Sequence, residues 1–167
     1  IGPFAIDMYL PALPSIGQNL NASMGAVQAS LMAFFVALAL GQLVYGTASD
    51  MLGRKLPLYF SLVLFGIASV GCALAPNIET LIAWRFVQGL GASAGMVIPR
   101  AIVRDMMTGA EATRMMSKIM LTFSVSPMLA PLVGSALLVI TGWRGIFGAL
   151  LVASVVSLTL LAVAQPE

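Results

Sequence analysis

Six long apolar stretches, separated by short polar breaks, constrain this chain more than any other feature of its sequence. Of its 167 residues, 60% are hydrophobic and 8% are charged, and the mean hydropathy is +1.02. Helical stretches of about twenty apolar residues match the hydrocarbon core of a bilayer, which is about 30 Å thick. Strands of a transmembrane barrel would instead alternate over about ten residues. The sequence therefore predicts an all-α membrane protein.

The predicted helices form one transmembrane bundle. They cover residues 1–16, 25–48, 57–75, 80–98, 119–140 and 144–164. The charged residues 100–118 are predicted as a loop, and residues 165–167 as the exit into a linker. Because the first range begins without a methionine, we expect its opening turns to be missing. Residues 1–167 are then the N-terminal six-helix half of a longer protein whose C-terminal half is absent.

The break after the second predicted helix carries the pattern G-x-x-x-D-x-x-G-R-K, formed by Gly46, Asp50, Gly53, Arg54 and Lys55. Gly46 would let a neighbouring helix approach closely, and Gly53 would allow a tight turn. An ordinary polar loop with a turn glycine is the alternative interpretation. The pattern resembles the cytoplasmic loop signature of the major facilitator superfamily of transporters, which lies between their second and third membrane helices.

The fourth predicted helix carries the sequence RFVQGLGAS, which begins at Arg85 and includes Gln88. It resembles the R-x-x-Q-G-x-G-A-A signature of proton-coupled members of that superfamily. An arginine inside an apolar run costs about 2.5 to 3.5 kcal/mol on insertion scales unless it faces protein or water. Extension of Arg85 to the outer interface is the alternative. The resemblance implies that Arg85 and Gln88 couple protons to substrate.

The fifth predicted helix carries small residues and prolines at Ser126, Pro127, Ala130, Pro131 and Gly134. They resemble the antiporter signature g-x-x-x-G-P-x-x-G-G, with two of its glycines replaced here. A proline removes one backbone hydrogen bond and bends a helix, while small residues let a neighbour pack closely. We therefore expect a hinge in this helix, and a kink that serves packing alone is the alternative.

The first predicted helix contains the pattern D-x-x-L-P-x-x-P, which begins at Asp7. It resembles the first helix of the twelve-helix drug:proton antiporters, particularly the Bcr/CflA group. At about 1.5 Å per residue, the levels of Asp7 and Arg85 differ by roughly 5 Å. We therefore expect the two side chains to face one cavity and to be electrostatically coupled, with Asp7 as a proton-responsive site. An acid in the missing first turns is the alternative proton carrier.

The basic residues of the loops predict the orientation of the chain. Six of its eight bases are Arg54, Lys55, Arg100, Arg104, Arg114 and Lys118, in the loops after the second and fourth helices. Loops rich in lysine and arginine face the cytoplasm. The expected location is therefore the bacterial inner membrane, with a cytoplasmic amino terminus.

Asp50, Arg54 and Asp105 are expected to form a charge cluster at the cytoplasmic ends of adjacent helices. Such a cluster would act as a latch that stabilises the outward-facing conformation. The absent half could add the positive end of one of its helices next to Asp50. Ordinary solvation of the three side chains is the alternative.

Composition argues against an enzyme. The chain has no histidine, the usual zinc ligand and general base, and its one cysteine, Cys72, cannot form an intramolecular disulfide. An intramembrane aspartyl protease would need two intramembrane acids, and Asp7 is the one such candidate. We predict no metal and no cofactor. We also predict no nucleic-acid partner, because the net charge of +2 comes from the basic loops.

The resemblance implies proton-coupled efflux of small apolar or cationic compounds by alternating access, with the proton gradient as the energy source. Its partners would be the substrate, protons, membrane lipid and the absent half. Proton-coupled uptake of a nutrient or metabolite on the same fold is the alternative. Met96 and Met128 are pocket candidates, because methionine adapts to varied apolar ligands.

A glycine and a base recur at two helix junctions, as Gly53-Arg54 and as Gly142 with Arg144. Three-plus-three inverted repeats would produce this similarity. Coincidence is the alternative.

Overall fold

The computed structural model describes residues 1–164, and all secondary structure within them is helical. The elements in chain order are α1 (Gly2–Asp7), a 3₁₀ turn (Leu10–Ala12), α2 (Leu13–Asn19), α3 (Met24–Met51), α4 (Lys55–Leu74), α5 (Ile78–Met106), α6 (Gly109–Thr141) and α7 (Trp143–Ala164). The helices α3 to α7 are long and apolar enough to cross a membrane. The molecule is thus a multi-pass membrane protein. The expected linker at residues 165–167 lies outside the described residues.

The first span is divided, which corrects the prediction of one continuous helix over residues 1–16. It consists of α1, the 3₁₀ turn and α2, and it continues to Asn19. In a regular helix the ring of Pro11 would clash with the carbonyl group of Asp7, four residues earlier. The helix α1 ends at Asp7 for this reason, and Pro14 occupies the first turn of α2, where a missing N–H is tolerated.

The charged residues 100–118 are mostly helical, which corrects the prediction of a loop. Met107 and Thr108 alone separate α5 from α6. At about 1.5 Å per residue, the 33 residues of α6 span about 50 Å, well beyond the bilayer core. Hydropathy indicates where a helix leaves the apolar layer but not where the helix ends, because its backbone hydrogen bonds continue into water. The other long helices begin and end within three residues of their predicted bounds.

The central helix of the bundle is α5, which packs between α3 and α4. Its glycines allow this packing. A Cβ atom at Gly91 would lie 2.6 Å from the backbone nitrogen of Phe65 in α4, and one at Gly89 would meet the carbonyl oxygen of Phe34 in α3. On its far side α4 packs against α7, while α1 packs against α6.

The α3–α4 and α5–α6 loops lie at the same end of the bundle, because Arg54 contacts Asp105 in the last turn of α5. We call this the basic end, since it carries Arg54, Lys55, Arg100, Arg104, Arg114 and Lys118. At the opposite end, Arg144 donates hydrogen bonds to the carbonyl oxygens of Ala73 and Ala75, at 3.0 and 3.2 Å. A cation there is favourable because the last carbonyl groups of a helix carry partial negative charge.

The glycines at the two junctions share a positive φ angle. Gly53 has a φ of +80° and Gly142 a φ of +73°, in the left-handed region that favours glycine. Each glycine precedes a helix that begins within two residues. The inverted repeat itself stays a prediction.

Candidate functional site

Arg85 is the largest fully buried side chain of the described residues, with 0% exposure. Its Nη1 donates a hydrogen bond to Oε1 of Gln88 at 2.7 Å and a longer one to the carbonyl oxygen of Ala5 in α1 at 3.4 Å. The side chain thus points into the bundle. This excludes the alternative in which Arg85 extends to the outer interface.

Gln88 connects Arg85 to α4 through hydrogen bonds. Its Nε2 donates to the hydroxyl oxygen of Ser69 in α4 at 2.8 Å, and that hydroxyl group donates to the carbonyl oxygen of Phe65. Both polar ends of the Gln88 side chain are therefore occupied. A buried chain of hydrogen bonds in a medium of low dielectric constant holds its members in fixed positions.

Aromatic rings complete the surroundings of Arg85. Its guanidinium carbon lies 4.2 Å from the centroid of the Tyr9 ring, 4.3 Å from that of Phe34 and 6.0 Å from that of Phe147. The Tyr9 hydroxyl group donates to Ser30, because the Ser30 hydroxyl hydrogen is used on the carbonyl oxygen of Val27. A desolvated cation over an aromatic face gains about 2 kcal/mol. The rings therefore compensate part of the desolvation of the charge.

Two donors of Arg85 stay unused. Its Nε and Nη2 are buried and have no hydrogen-bond partner within residues 1–164. No carboxylate of these residues forms an ion pair with Arg85. Within the described residues the site is thus a buried cation with two donor nitrogens, Nε and Nη2, that have no acceptor.

Asp7 does not meet Arg85, which corrects the prediction that the two side chains are electrostatically coupled. The arginine contacts Ala5 and Tyr9, which lie one helical turn apart on one face of the first span. Asp7 is two residues from each, or about 200° around a helix. Its carboxylate instead faces the buried hydroxyl group of Ser126 in α6. Ser126 forms no hydrogen bond of regular geometry there. The predicted levels of Asp7 and Arg85 in the membrane were compatible with coupling, but the prediction that Asp7 faces Arg85 was wrong.

The structure brings together Asp50, Arg54 and Asp105 at the basic end. Nη1 of Arg54 lies 2.8 Å from Oδ1 of Asp50 and donates to the Ser49 hydroxyl oxygen at 2.6 Å, while its Nε donates to Oδ2 of Asp105 at 3.1 Å. Lys55 follows as the first residue of α4 and has an interaction partner of its own. The function of this cluster as a latch stays a prediction.

No other helix of the described residues approaches Gly46 closely, so its predicted close approach to a neighbouring helix stays a prediction. Apart from its two chain neighbours and the adjacent backbone of α3, no atom of the described residues lies within 4 Å of the position that a Cβ atom would take. The buried face of α3 near this point is formed by Tyr45 and Ser49 instead. These residues are four apart and so share one side of the helix.

The small residues Ser126, Ala130 and Gly134 form the buried face of α6. A Cβ atom at Gly134 would lie 2.5 Å from the carbonyl oxygen of Met8 in the first span. The first span therefore packs directly on this face. Pro127 and Pro131 lie within α6, which continues past both. Their function as a hinge stays a prediction.

A cavity of about 570 Å³ lies between α1, α4, α5, α6 and α7, in the half of the bundle near the basic end. The wall of this cavity is largely apolar and includes Met96, and Ser126 contributes a hydroxyl group to it. Met128 does not line this cavity and is 73% exposed. Since Met128 is two residues from Ser126, it points to the other side of α6, and its assignment to a pocket stays a prediction.

Sequence reasoning missed Tyr9, Phe34 and Ser69, which surround the Arg85–Gln88 pair. They come from three different spans. The sequence carries one usable signal, which is that Ala5 and Tyr9 are four residues apart and share a face. The contribution of Phe34 depends on how α3 packs against α5, and no local pattern specifies that register.

The chain matches known proteins over its whole length. The profile of the Major Facilitator Superfamily matches residues 1–167. The uncharacterized MFS-type transporter YdgK of Bacillus subtilis is 46% identical over an alignment of 169 positions, which covers 100% of this chain and 42% of that protein. The bicyclomycin resistance protein homolog of Haemophilus influenzae is 30% identical over 165 residues, 99% of this chain and 42% of that protein.

Multidrug resistance protein D of Escherichia coli is 32% identical over 152 residues, which are 91% of this chain and 39% of that protein. The chain therefore spans about two fifths of the length of these relatives. With the family profile matched over all 167 residues, the chain belongs to the Major Facilitator Superfamily.

Proposed function

We propose that this chain is the N-terminal bundle of a proton-coupled exporter of small apolar or cationic compounds that works by alternating access. The observation that carries the proposal is the complete burial of Arg85. An ionisable side chain within a membrane is costly, and such residues mark pathways for ions and substrates. Two relatives are named as a bicyclomycin resistance homolog and a multidrug resistance protein, which supports export as the direction.

Arg85 supplies fixed positive charge at the centre of the bundle. Gln88 and the rings of Tyr9 and Phe34 hold the guanidinium group, so its unused Nε and Nη2 point at defined positions. Water or a polar group of the substrate occupies these donors in at least one conformation of the transport cycle. Asp7 is the one carboxylate within the middle of a span among the described residues, and it serves as a proton site independent of direct contact with Arg85.

The basic end faces the cytoplasm, as loops rich in lysine and arginine do. The contacts of Arg54 with Asp50 and Asp105 hold the ends of α3 and α5 together in the outward-facing conformation. The prolines and the small-residue face of α6 let this helix bend against the first span. A second six-helix bundle, outside this chain, forms the other wall of the transport pathway.

The energy source is the proton gradient of the bacterial inner membrane, and the protein performs no chemical conversion and uses no cofactor. These statements follow from the proposed exporter and share its tests. Lipid surrounds the outward faces of the bundle, where many large apolar side chains of α3, α4 and α6 are exposed.

Everted membrane vesicles that contain the full-length protein test the proposal. With an inside-acid proton gradient, we expect a lipophilic cationic dye to accumulate in the vesicles and to leave again when a protonophore is added. Arg85→Lys, which keeps the charge but loses the planar guanidinium group, is expected to lose most of this accumulation. The control is Arg114→Lys, at an exposed base of α6. Export of dye out of the vesicles together with protons would contradict the proposal and favour uptake in the cell.

A further inference from the structure

A second cavity, of about 630 Å³, opens between the last turns of α5 and the first turns of α6, at the basic end. Arg100 and Arg104 of α5 and Thr113 and Met116 of α6 contribute to its wall. We call it the basic cleft. It is separate from the Arg85 site, which lies deeper in the bundle and shares no lining residue with it.

Arg100 is held in place inside the basic cleft. Its guanidinium carbon lies 5.2 Å from the centroid of the Phe123 ring in α6. Its Nε is buried and has no hydrogen-bond partner within residues 1–164. A buried donor without a partner is uncommon in folded proteins and indicates an acceptor from outside the described chain.

The charge of the basic cleft is not balanced by nearby carboxylates. Neither Arg100 nor Arg104 forms an ion pair within residues 1–164. Asp105 is engaged by Arg54, and Glu111 is exposed in the first turn of α6. A group that complements the cleft must therefore carry negative charge.

The hydroxyl groups of the basic cleft are already in use as donors. Thr113 donates to the carbonyl oxygen of Gly109, and Ser117 donates to that of Thr113, each within its own helix. The two arginines are thus the available donors for an anion. Guanidinium groups match the geometry of phosphate oxygens, with which they form paired hydrogen bonds.

Polarity changes along the depth of the basic cleft. Arg104 and Thr113 lie near the ends of their helices, whereas Val97 and Met120 lie seven residues further in, about 10 Å deeper. The mouth is cationic and the inner end is apolar. A phospholipid has this same arrangement, with a phosphate group at the water interface and acyl chains below it. A soluble phosphate ester would leave the apolar part uncovered.

We propose that the basic cleft binds the headgroup of an anionic phospholipid, with its phosphate on Arg100 and Arg104 and an acyl chain along Val97 and Met120. Basic pockets between membrane helices near the interface favour such headgroups. The bound lipid fills the space between α5 and α6, and its phosphate offsets one of the two positive charges of the cleft. This site adds a specific lipid ligand to the general contact of the bundle with the membrane.

Native mass spectrometry of the delipidated full-length protein, titrated with phosphatidylglycerol or with phosphatidylethanolamine of the same acyl chains, tests this proposal. We expect tighter binding of phosphatidylglycerol. Arg100→Gln with Arg104→Gln should weaken it about 25-fold, or about fivefold for each arginine. The control, Arg114→Gln with Lys118→Gln, makes the same change of charge at exposed bases outside the cleft and should retain the binding.

Three results would overturn the assignment. Equal binding of the two lipids would show that the cleft does not select an anionic headgroup. This result is expected if a carboxylate from elsewhere in the full-length protein fills the cleft. Equal losses in the test and control variants would indicate diffuse surface attraction. Displacement of the lipid by glycerol 3-phosphate would make the site one for a soluble phosphate ester. If the double variant does not fold, Arg104→Gln alone, at an exposed side chain, must still weaken binding about fivefold.

Discussion

Arg54, in the loop between α3 and α4, donates hydrogen bonds from both Nε and Nη2 to one carboxylate oxygen of Asp105 in the last turn of α5. The hydrogen bond to Asp105 is the main cause that raises the pKa of Arg54 above its ordinary value, and Asp50 adds to it. Because arginine is charged at neutral pH with or without this shift, the contact does not depend on the raised pKa there. The cluster connects the ends of α3 and α5 in this conformation.

Asp105→Asn should weaken this connection and favour opening of the basic end. We expect a cysteine introduced as Met96→Cys, in the cavity near the basic end, to react several times faster with a thiol reagent when Asp105 is replaced. Glu111→Gln, at an exposed carboxylate without an ion pair, makes the same change of charge and serves as the control. Unchanged labelling together with unchanged transport would contradict the proposed function of this cluster as a latch.

Gln88→Ala should destabilise the bundle. It removes the acceptor of Arg85 Nη1 and the donor to Ser69, so buried polar groups lose their partners. The expected loss is about 1 to 3 kcal/mol, seen as a lower midpoint of thermal unfolding in detergent. Gln28→Ala, at an exposed glutamine of α3, is the control. Equal midpoints for the two variants would show that the network contributes nothing to stability.

Gly134→Ala should separate the first span from α6, because its Cβ atom would meet the backbone of Met8. Overpacking of this kind costs about 1 to 3 kcal/mol. The matched control is Gly148→Ala in α7, where no atom lies within 4 Å of the new Cβ. Thermal unfolding of both variants measures the difference. A Gly134→Ala protein as stable as the control would contradict the close packing.

The lengths of the apolar stretches were enough to predict five long helices, because a bilayer fixes how many apolar residues a helix needs. They did not predict how far α5 and α6 extend past the membrane, since charged residues from Arg100 to Lys118 continue the helix into water. The residues at the centre of the site, Arg85 and Gln88, were predicted from their motif. Their surroundings were not, because helix rotation decides which side chains meet.

The error at Asp7 shows this limit. Depth along a helix follows from counting residues, but a displacement of two residues turns a side chain to the opposite face. Asp7 and Ala5 differ by that displacement, and Ala5 is the residue that contacts Arg85. The packing of the first span against α6, where Gly134 meets Met8, determines which face points inward.

Asp7→Asn should impair transport that is driven by the proton gradient. It should preserve the exchange of substrate across the membrane when the substrate concentration is equal on both sides. Asparagine keeps the size and polarity of the side chain but cannot release a proton. Glu79→Gln, at an exposed carboxylate in the first turn of α5, is the control. Loss of both activities would indicate a structural function for Asp7, and full gradient-driven transport would exclude it as a proton site.

The movement of protons against substrate tests the central claim most directly. Full-length protein is reconstituted into liposomes that contain a pH indicator, and a lipophilic cationic substrate is added outside. Proton-coupled export by antiport predicts that the lumen becomes more alkaline as substrate enters and protons leave, and that Arg85→Lys abolishes this change. A lumen that becomes more acidic would show symport, and uptake of substrate with no change of pH would show that transport is not coupled to protons. Either result would contradict the account.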